Sequence, residues 1–201
     1  MVKQKLEKLN QLIEEFKVKR IDPANQSFIE VKANYYTLNN GQMQKREQIF
    51  KGGKDGSAAI IIPYVGEEIL LVIEPRVITK SGVGIGFPAG YLEDYESPEE
   101  AALRELREET GLVPESIEEI DSFYQDEGCS SALNHIFIAY NCKKLYKQKL
   151  DKDEIVKYEL YTEQDVYDLE EMGYIMGCNS KLGIARLRSR NEKIQRGKNQ
   201  K

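Results

Sequence analysis

Three features are missing from this sequence of 201 residues. No stretch approaches the roughly 18 consecutive apolar residues of a transmembrane helix, so the sequence predicts no such span. The first residues lack the apolar core of a signal peptide, so we expect no secretion. The three cysteines, Cys129, Cys142 and Cys178, contain no C-x-x-C pair. This odd, unpaired set is typical of reduced thiols and predicts a cytoplasmic protein.

An excess of positive charge is missing too. The net charge is −5, so the sequence lacks the basic footprint of a nucleic-acid-binding domain. The one histidine, His135, lies in a β-like run, which favours a strand residue over a metal ligand. No internal repeat is visible. Length and a hydrophobic content of 40% predict one globular domain with an appendage, or two small domains.

The most informative stretch is residues 90–112, which predicts a loop followed by a short helix. Ser97 is a good N-cap, and Glu100 three residues later completes a capping box. Pro98 suits the first helical position. Gly111 is typical of the position just past a helix end. We therefore expect a helix from 98 to 110.

One side of this helix carries a carboxylate cluster. Its members share a side at 3.6 residues per turn: Glu105, Glu108 and Glu109. Like charges four residues apart destabilise a helix by roughly 0.2–0.5 kcal/mol. A divalent cation such as Mg²⁺ would offset this repulsion, because it binds carboxylate oxygens together with substrate phosphate. On the helix alone, a solvated acidic face is an equally good interpretation.

The stretch resembles the signature of the Nudix hydrolases at every specified position. The matching residues are Gly90, Glu96, Arg104, Glu105, Leu106, Glu108, Glu109, Gly111 and Leu112. The resemblance implies a hydrolase of nucleoside diphosphates linked to another moiety, with Mg²⁺, or alternatively Mn²⁺, as cofactor. It implies metal binding by the three carboxylates of the cluster. It also implies that Arg104 and Glu96 brace the loop–helix junction, and that Gly90 turns the loop tightly by adopting a positive φ.

The remaining pattern predicts an α+β fold, a Nudix-type α/β/α sandwich around a mixed sheet. Expected strands cover 57–63, 69–74, 120–124, 134–141 and 156–160, and expected helices cover 164–171 and 180–195. We place the helix of residues 98–110 on one face of the sheet and the C-terminal helix on the other. The Nudix domain is predicted to span 53–195, and residues 196–201 are predicted to form a disordered tail.

Residues 1–52 are predicted to form a separate element that makes a homodimer. Residues 3–19 place an apolar stripe at helical spacing: Leu6, Leu9, Leu12, Ile13 and Phe16. Pro23 and Asn25 end this pattern. Asn40-Gly41 between two strand-like runs predicts a β-hairpin. Because an isolated hairpin is marginal in water, both the hairpin and the stripe require burial. We expect the stripe to pack on the protein, or on a second copy of it, and not on a membrane, since its polar face mixes both signs of charge.

Three further features resemble the ADP-ribose pyrophosphatase branch of the family. The entry Pro88-Ala89-Gly90 implies a metal ligand in the Ala89 carbonyl, and Arg76 occupies the place of an arginine that meets phosphate or ribose. The N-terminal hairpin followed by Lys45-Arg46-Glu47 resembles the small dimerisation sheet of the branch. In that sheet, Phe28, Tyr35 or Tyr36 could stack on a base. One departure is the acidic loop 125–128, containing Glu127, where several members of the branch have a proline. We expect this loop to face the substrate.

The resemblance therefore implies attack of an activated water on a pyrophosphate, with ADP-ribose giving AMP and ribose 5-phosphate. Candidate general bases are Glu105 and the loop carboxylates: Asp126, Glu127, Asp153 and Glu154. Two alternatives stay open. One is a pyrophosphohydrolase of nucleoside triphosphates or RNA ends that uses basic residues of 181–193 as a strand track. The other is a nucleotide sensor without catalysis, which would not need the carboxylate cluster.

Overall fold

The structure is a computed structural model that describes residues 2–16 and 27–199. The helices of this part of the chain are α1 (Val2–Glu15), α2 (Pro98–Thr110), α3 (Glu163–Glu171) and α4 (Cys178–Asn199). The strands are β1 (Ile29–Thr37), β2 (Met43–Lys51), β3 (Ala58–Val65), β4 (Glu68–Arg76), β5 (Gly82–Gly86), β6 (Ala89–Tyr91), β7 (Leu112–Val113), β8 (Ser116–Tyr124), β9 (Leu133–Tyr140), β10 (Lys143–Lys144) and β11 (Lys157–Thr162).

A seven-stranded mixed sheet forms the centre of the molecule. Its order is β11-β4-β3-β9-β8, with β5 paired to β4 and β6 paired to β3. The β3–β9 pair is parallel and the other pairs in this sheet are antiparallel. The apolar side chains of β3 allow this strand to be covered on both faces of the sheet. The predicted mixed sheet is confirmed.

Alternate side chains of β3 point to opposite faces of the sheet. Ala59 and Ile61 pack with Ala101 and Leu106 of α2 in one core cluster. Ile60 and Ile62 point the other way, into a cluster that α3 and α4 cover. The predicted α/β/α sandwich, with α2 and the C-terminal helix on opposite faces, is therefore confirmed.

Helix α1 packs on the main domain, which is one of the two positions that the sequence left open for its apolar stripe. Leu9 and Phe16 are buried, 1% and 6% exposed, in the same cluster as α3 and α4. Lys5 donates to Glu68 at 3.1 Å and to the carbonyl of Leu160 at 2.5 Å. The apolar stripe is thus covered within one chain. Pro23 and Asn25, which we expected to break the helix, lie outside the described residues.

The predicted hairpin is present as β1 and β2, paired antiparallel from Ile29↔Lys51 to Thr37↔Met43. Gly41 takes a φ of +83° in the connecting loop, a conformation that glycine adopts without a Cβ clash. Every residue of β1 is exposed. The hairpin therefore projects from the domain instead of packing into it.

Two other differences from the sequence-based expectations have local causes. β5 has the sequence Gly-Val-Gly-Ile-Gly, and glycine has low β-propensity, so the pattern did not predict a strand there. α4 continues to Asn199 where we expected a disordered tail from 196, and residues 200 and 201 lie outside the described part.

No helix in residues 2–16 and 27–199 is long and apolar enough to cross a membrane.

Candidate active site

Helix α2 begins and ends where the sequence predicts. The Ser97 side chain accepts from the N–H of Glu100, and the Glu100 carboxylate accepts from the N–H of Ser97 at 2.8 Å. Gly111 caps the other end with a φ of 71°, and its N–H donates to the Arg107 carbonyl at 2.7 Å. These caps fix the register of the helix and therefore the direction of its carboxylates.

Gly90 is required at its position for a reason other than the one we expected. It lies in β6 and does not have a positive φ. A Cβ at Gly90 would lie 1.9 Å from the carboxyl carbon of Glu105. The missing side chain therefore allows α2 to place Glu105 directly against the backbone of β6.

Arg104 is the brace between the loop and α2. Its Nε and Nη2 donate to the two carboxylate oxygens of Glu96 at 2.8 and 2.9 Å. Nη2 also donates to the Tyr91 carbonyl at 2.9 Å, and Nη1 donates to Glu105 at 2.6 Å and to Glu108 at 3.3 Å. The guanidinium group holds the pKa of Glu96 below its usual range. The predicted Arg104–Glu96 pairing is thus present.

Glu109 is the most deeply buried carboxylate of the cluster. It is 5% exposed, and its Oε2 has no hydrogen-bond partner among the described residues. Burial, followed by the charges of Glu105, Glu74 and Glu154, raises its pKa well above the ordinary value. A buried carboxylate without a cationic partner is costly. A divalent cation bound to Oε2 would remove that cost, so this donor set fits a hard metal ion.

Glu74 and Glu154 join the helix carboxylates from outside α2. Burial raises the pKa of Glu74, and the nearby charge of Glu154 raises it further. Burial also raises the pKa of Glu105, with Glu108 and Glu154 adding to the effect. Of the loop carboxylates proposed as bases, Glu154 is thus the one brought to the cluster.

The carboxylates of the cluster are not arranged as a complete set of metal ligands. In the described ranges, no three His, Cys, Asp or Glu side chains are arranged to hold a metal ion. Glu105 and Glu108 are both paired with one nitrogen of Arg104, Nη1, at 2.6 and 3.3 Å. A cation would have to compete with this guanidinium for Glu105 and Glu108, whereas Oε2 of Glu109 is already unpartnered.

Ala89 lies in β6, which contacts α2, and Arg76 is the last residue of β4. The Ala89 backbone makes a hydrogen bond to the Glu109 carboxylate, which lowers the pKa of that group against the effect of burial. Arg76 donates to Glu74 at 2.6 Å, its side chain is 57% exposed, and its stem lies over Gly84. The exposed guanidinium of Arg76 is therefore accessible to an anion beside the carboxylates.

The two predicted stacking residues lie far apart. Phe28 is at the base of the hairpin, with its ring 6.0 Å from the ring of Tyr91. Tyr36 lies eight residues further along, about 26 Å away at roughly 3.3 Å per residue. One site in one chain therefore cannot use both. Stacking by Phe28, Tyr35 or Tyr36 stays a prediction, and within one chain Tyr36 lies at the end of the hairpin away from Phe28.

The loop that contains Glu127 is fixed by hydrogen bonds to the hairpin and by hydrogen bonds within the loop. Ile49 N–H donates to the Cys129 carbonyl at 2.8 Å, and Lys51 donates to Gln125 at 3.2 Å. The Asp126 carboxylate accepts from the Cys129 thiol at 3.0 Å. Glu127 is exposed. These contacts place the loop beside β2, and Asp126 is engaged there as a local acceptor.

The basic residues of α4 are used in ion pairs. Lys181 pairs with Glu170 at 2.5 Å, and Arg186 pairs with Asp121 at 2.5 Å. Further along the helix, Arg190 binds Glu118 of β8 through both terminal nitrogens. These pairs join α4 to β8 and α3. His135 is a strand residue as predicted, bonded to Glu119 at 2.7 Å.

Sequence reasoning missed two residues of the site. Glu74 ends the apolar run of β4 and was assigned only to a strand, although a carboxylate following five buried residues is itself a signal. Tyr91 follows Gly90, and its ring contacts Phe28 and lies 5.4 Å from Lys51 Nζ. Its neighbours come from the hairpin, a distant part of the sequence, so no local pattern could indicate this cluster.

Comparison with known proteins agrees with this geometry. The NUDIX domain family matches residues 54–176. An ADP-ribose pyrophosphatase of Bacillus subtilis is 32% identical over 148 residues, covering 73% of this chain and 78% of the relative. A methanol dehydrogenase activator of Bacillus methanolicus is 33% identical over 151 residues, covering 74% and 78%.

A solved structure described as an ADP compounds hydrolase has the same fold, with a TM-score of 0.68 at 22% identity. It covers 83% of this chain and 88% of the other. The chain therefore belongs to the Nudix family of pyrophosphohydrolases.

Proposed function

We propose that this protein hydrolyses the pyrophosphate bond of a nucleoside diphosphate linked to a sugar, with ADP-ribose as the leading substrate. The observation that carries the proposal is the buried Glu109, whose unpartnered Oε2 lies among the carboxylates Glu74, Glu105 and Glu154. The products would be AMP and ribose 5-phosphate. The activity named for the Bacillus subtilis relative supports this choice of substrate.

Glu105, Glu108 and Glu109 would hold Mg²⁺, or Mn²⁺ in its place, together with the carbonyl of Ala89. When bound, such an ion lowers the pKa of water and neutralises phosphate charge. Arg104 orients Glu105 and Glu108 from behind and has Glu96 as its own anchor. The cation fits because it would give the buried Oε2 of Glu109 a partner.

Glu154 would accept the proton of the attacking water. The water oxygen bonds to one phosphorus, the bridging oxygen leaves with the other phosphate, and the proton passes to the Glu154 carboxylate. Its charge raises the pKa of both Glu105 and Glu109, which supports a position near them on a loop outside α2. A general base must lie within hydrogen-bond reach of this water.

Arg76 would bind a substrate phosphate, and Phe28 would stack on the base. The guanidinium fork suits a phosphate, and its pairing with Glu74 keeps it at the edge of the cluster. Phe28 is 57% exposed and already lies against Tyr91. The exposed Glu127 would contact the leaving group from the loop beside β2.

The hairpin would form a homodimer with a second copy of itself. One of its faces carries exposed apolar residues from both strands: Ile29, Val31, Tyr35 and Met43. Contiguous exposed apolar surface on a projecting sheet indicates an interface. A partner hairpin is also the route by which Tyr36 could reach a site, namely that of the other copy.

The test is turnover of purified protein with Mg²⁺ against ADP-ribose, other nucleoside diphosphate sugars, dinucleotides, nucleoside triphosphates and capped RNA. We expect ADP-ribose to have the highest kcat/KM and AMP to be a product. Preferential turnover of triphosphates or capped RNA would contradict the substrate assignment. An RNA substrate would also show a steep salt dependence.

A further inference from the structure

Residues 143–150 cross the C-terminal end of α2, and we name this segment the strap. The N–H groups of Leu145 and Tyr146 both donate to the Gly111 carbonyl at 3.1 Å. Lys149 N–H donates to the Glu108 carbonyl at 2.9 Å. The last carbonyl groups of a helix have no partners within the helix. The strap supplies those partners and is therefore fixed to the end of α2 that carries Glu108 and Glu109.

Gln148 is the strap residue that connects α2 to a second segment. Its side-chain nitrogen donates to the Glu109 carbonyl at 2.5 Å and to the Val156 carbonyl at 3.2 Å. An amide NH₂ group has two hydrogens, so it can serve both acceptors at once. Val156 is buried, 5% exposed, at the start of β11. One side chain thus ties the last turn of α2 to the far end of the loop 149–155.

The loop between these anchors carries Glu154. Asp151 N–H donates to the Glu154 carboxylate at 3.2 Å, and Glu154 N–H donates to the Asp151 carbonyl at 3.0 Å. These two bonds fix the shape of the turn but not its position relative to α2. That position depends on the ends of the loop, where the Lys149 N–H and the Gln148 side chain hold it to carbonyl groups of α2.

We propose that Gln148 is a positioning residue that holds Glu154 against the carboxylates of α2. The inference rests on the proposed role of Glu154 as proton acceptor. Displacing a catalytic group by about 1 Å can cost on the order of a hundredfold in rate. Gln148 does not touch substrate in this scheme. It acts through the loop that carries the base.

The first test compares Gln148→Met with Lys147→Met. Methionine matches the length of glutamine but has no N–H group, and Lys147 is the exposed neighbour in the strap. We expect Gln148→Met to lower kcat about tenfold and to change KM less than about twofold, because a misplaced base affects the chemical step. Lys147→Met should match the native enzyme. Gln148→Lys keeps a donor and should retain at least about half of native kcat.

The second test repeats Gln148→Met in an enzyme that carries Glu154→Gln. If Gln148 acts through Glu154, the second change lowers kcat less than about twofold in that background. An equal loss in both backgrounds would overturn the inference and leave the proposed function intact. A Glu154→Gln enzyme with native turnover would instead remove Glu154 from the proposed mechanism, and the inference with it. The assay uses whichever nucleotide the native enzyme turns over fastest.

A third measurement needs no catalysis. Hydrogen exchange followed by mass spectrometry should show faster exchange in residues 150–157 of Gln148→Met, with the peptide of α2 unchanged. Loss of protection in α2 would mean that Gln148 supports the helix rather than the loop, which would overturn the inference. This readout also separates displacement of the loop from general misfolding.

Discussion

Helix α2 and the β1–β2 hairpin differ in how far the rest of the domain buries and fixes them. α2 buries Ala101, Ala102 and Leu106 completely and is capped at both ends. β1, in contrast, is exposed along its whole length and touches the domain mainly through β2. The groups proposed for chemistry are thus fixed within one chain. Of the groups proposed for substrate selection, Phe28 and Tyr36 belong to this exposed hairpin, whereas Arg76 ends β4 in the central sheet.

The largest effect should come from Glu109→Gln, which keeps the shape of the residue and removes its charge. We expect kcat to fall at least about a hundredfold through lost transition-state stabilisation. Burial disfavours the charged carboxylate, so the variant should unfold no earlier than the native protein when no metal is added. Steady-state kinetics and thermal unfolding provide the measurements. Near-normal turnover would remove Glu109 from the mechanism.

Gly90→Ala should displace Glu105 and slow the reaction. The added Cβ would lie 1.9 Å from the carboxyl carbon of Glu105, so the Glu105 side chain must turn away or α2 and β6 must separate. We expect kcat to fall at least about tenfold, because a displaced catalytic carboxylate no longer has its productive geometry. Gly177→Ala is the matched control, because its added Cβ would meet nothing within 4 Å. Equal kcat values for the two variants would show that Gly90 is not a tight contact.

Val31→Asp should affect the hairpin and leave the carboxylate cluster intact. The charge falls on the exposed apolar face, so the predicted dimer should dissociate to monomers in light scattering at micromolar concentration. Asn34→Asp adds the same charge on the opposite face of the hairpin and should remain a dimer. A native protein that is already monomeric would contradict the proposed dimer.

The smallest effect concerns the brace. Arg104 keeps the pKa of Glu96 below its ordinary value, so the pair stabilises the fold above the unfolded pKa of about 4.3. This contribution is lost as pH falls through the folded pKa of Glu96. Glu96→Gln should therefore cost about 1 kcal/mol of unfolding free energy near pH 7. That difference should shrink below about pH 4. Denaturant titrations at several pH values test this, and a difference independent of pH would exclude the pair as its cause.

Local patterns predicted α2 and its caps because Ser97, Glu100 and Gly111 act within one helix length. The burial of β3 followed from its apolar run, which is also a local pattern. The role of Gly90 was predicted wrongly, because its requirement comes from Glu105, fifteen positions away and across a strand–helix contact. The position of α1 was left open between its own chain and a second copy, since an amphipathic stripe shows that a face needs burial but not what will cover it.

The complete carboxylate cluster could not be predicted for a similar reason. Glu74 and Glu154 belong to a strand and a loop that are 80 positions apart, and only the β4–β11 pairing brings their surroundings together. Gln148 gives no sequence signal, because its two acceptors are backbone carbonyls. Sequence reasoning therefore found the helix at the centre of the site but not the groups that approach it from elsewhere.

Metal binding tests the central claim most directly. Mn²⁺ titration followed by electron paramagnetic resonance can be carried out on the native protein, Glu109→Gln and Val31→Asp. We expect the native protein and Val31→Asp to bind Mn²⁺ equally, and Glu109→Gln to bind at least about tenfold more weakly, because a buried anionic ligand is lost. Unchanged affinity in Glu109→Gln would contradict the assignment of the buried carboxylate as the metal-binding centre of this protein.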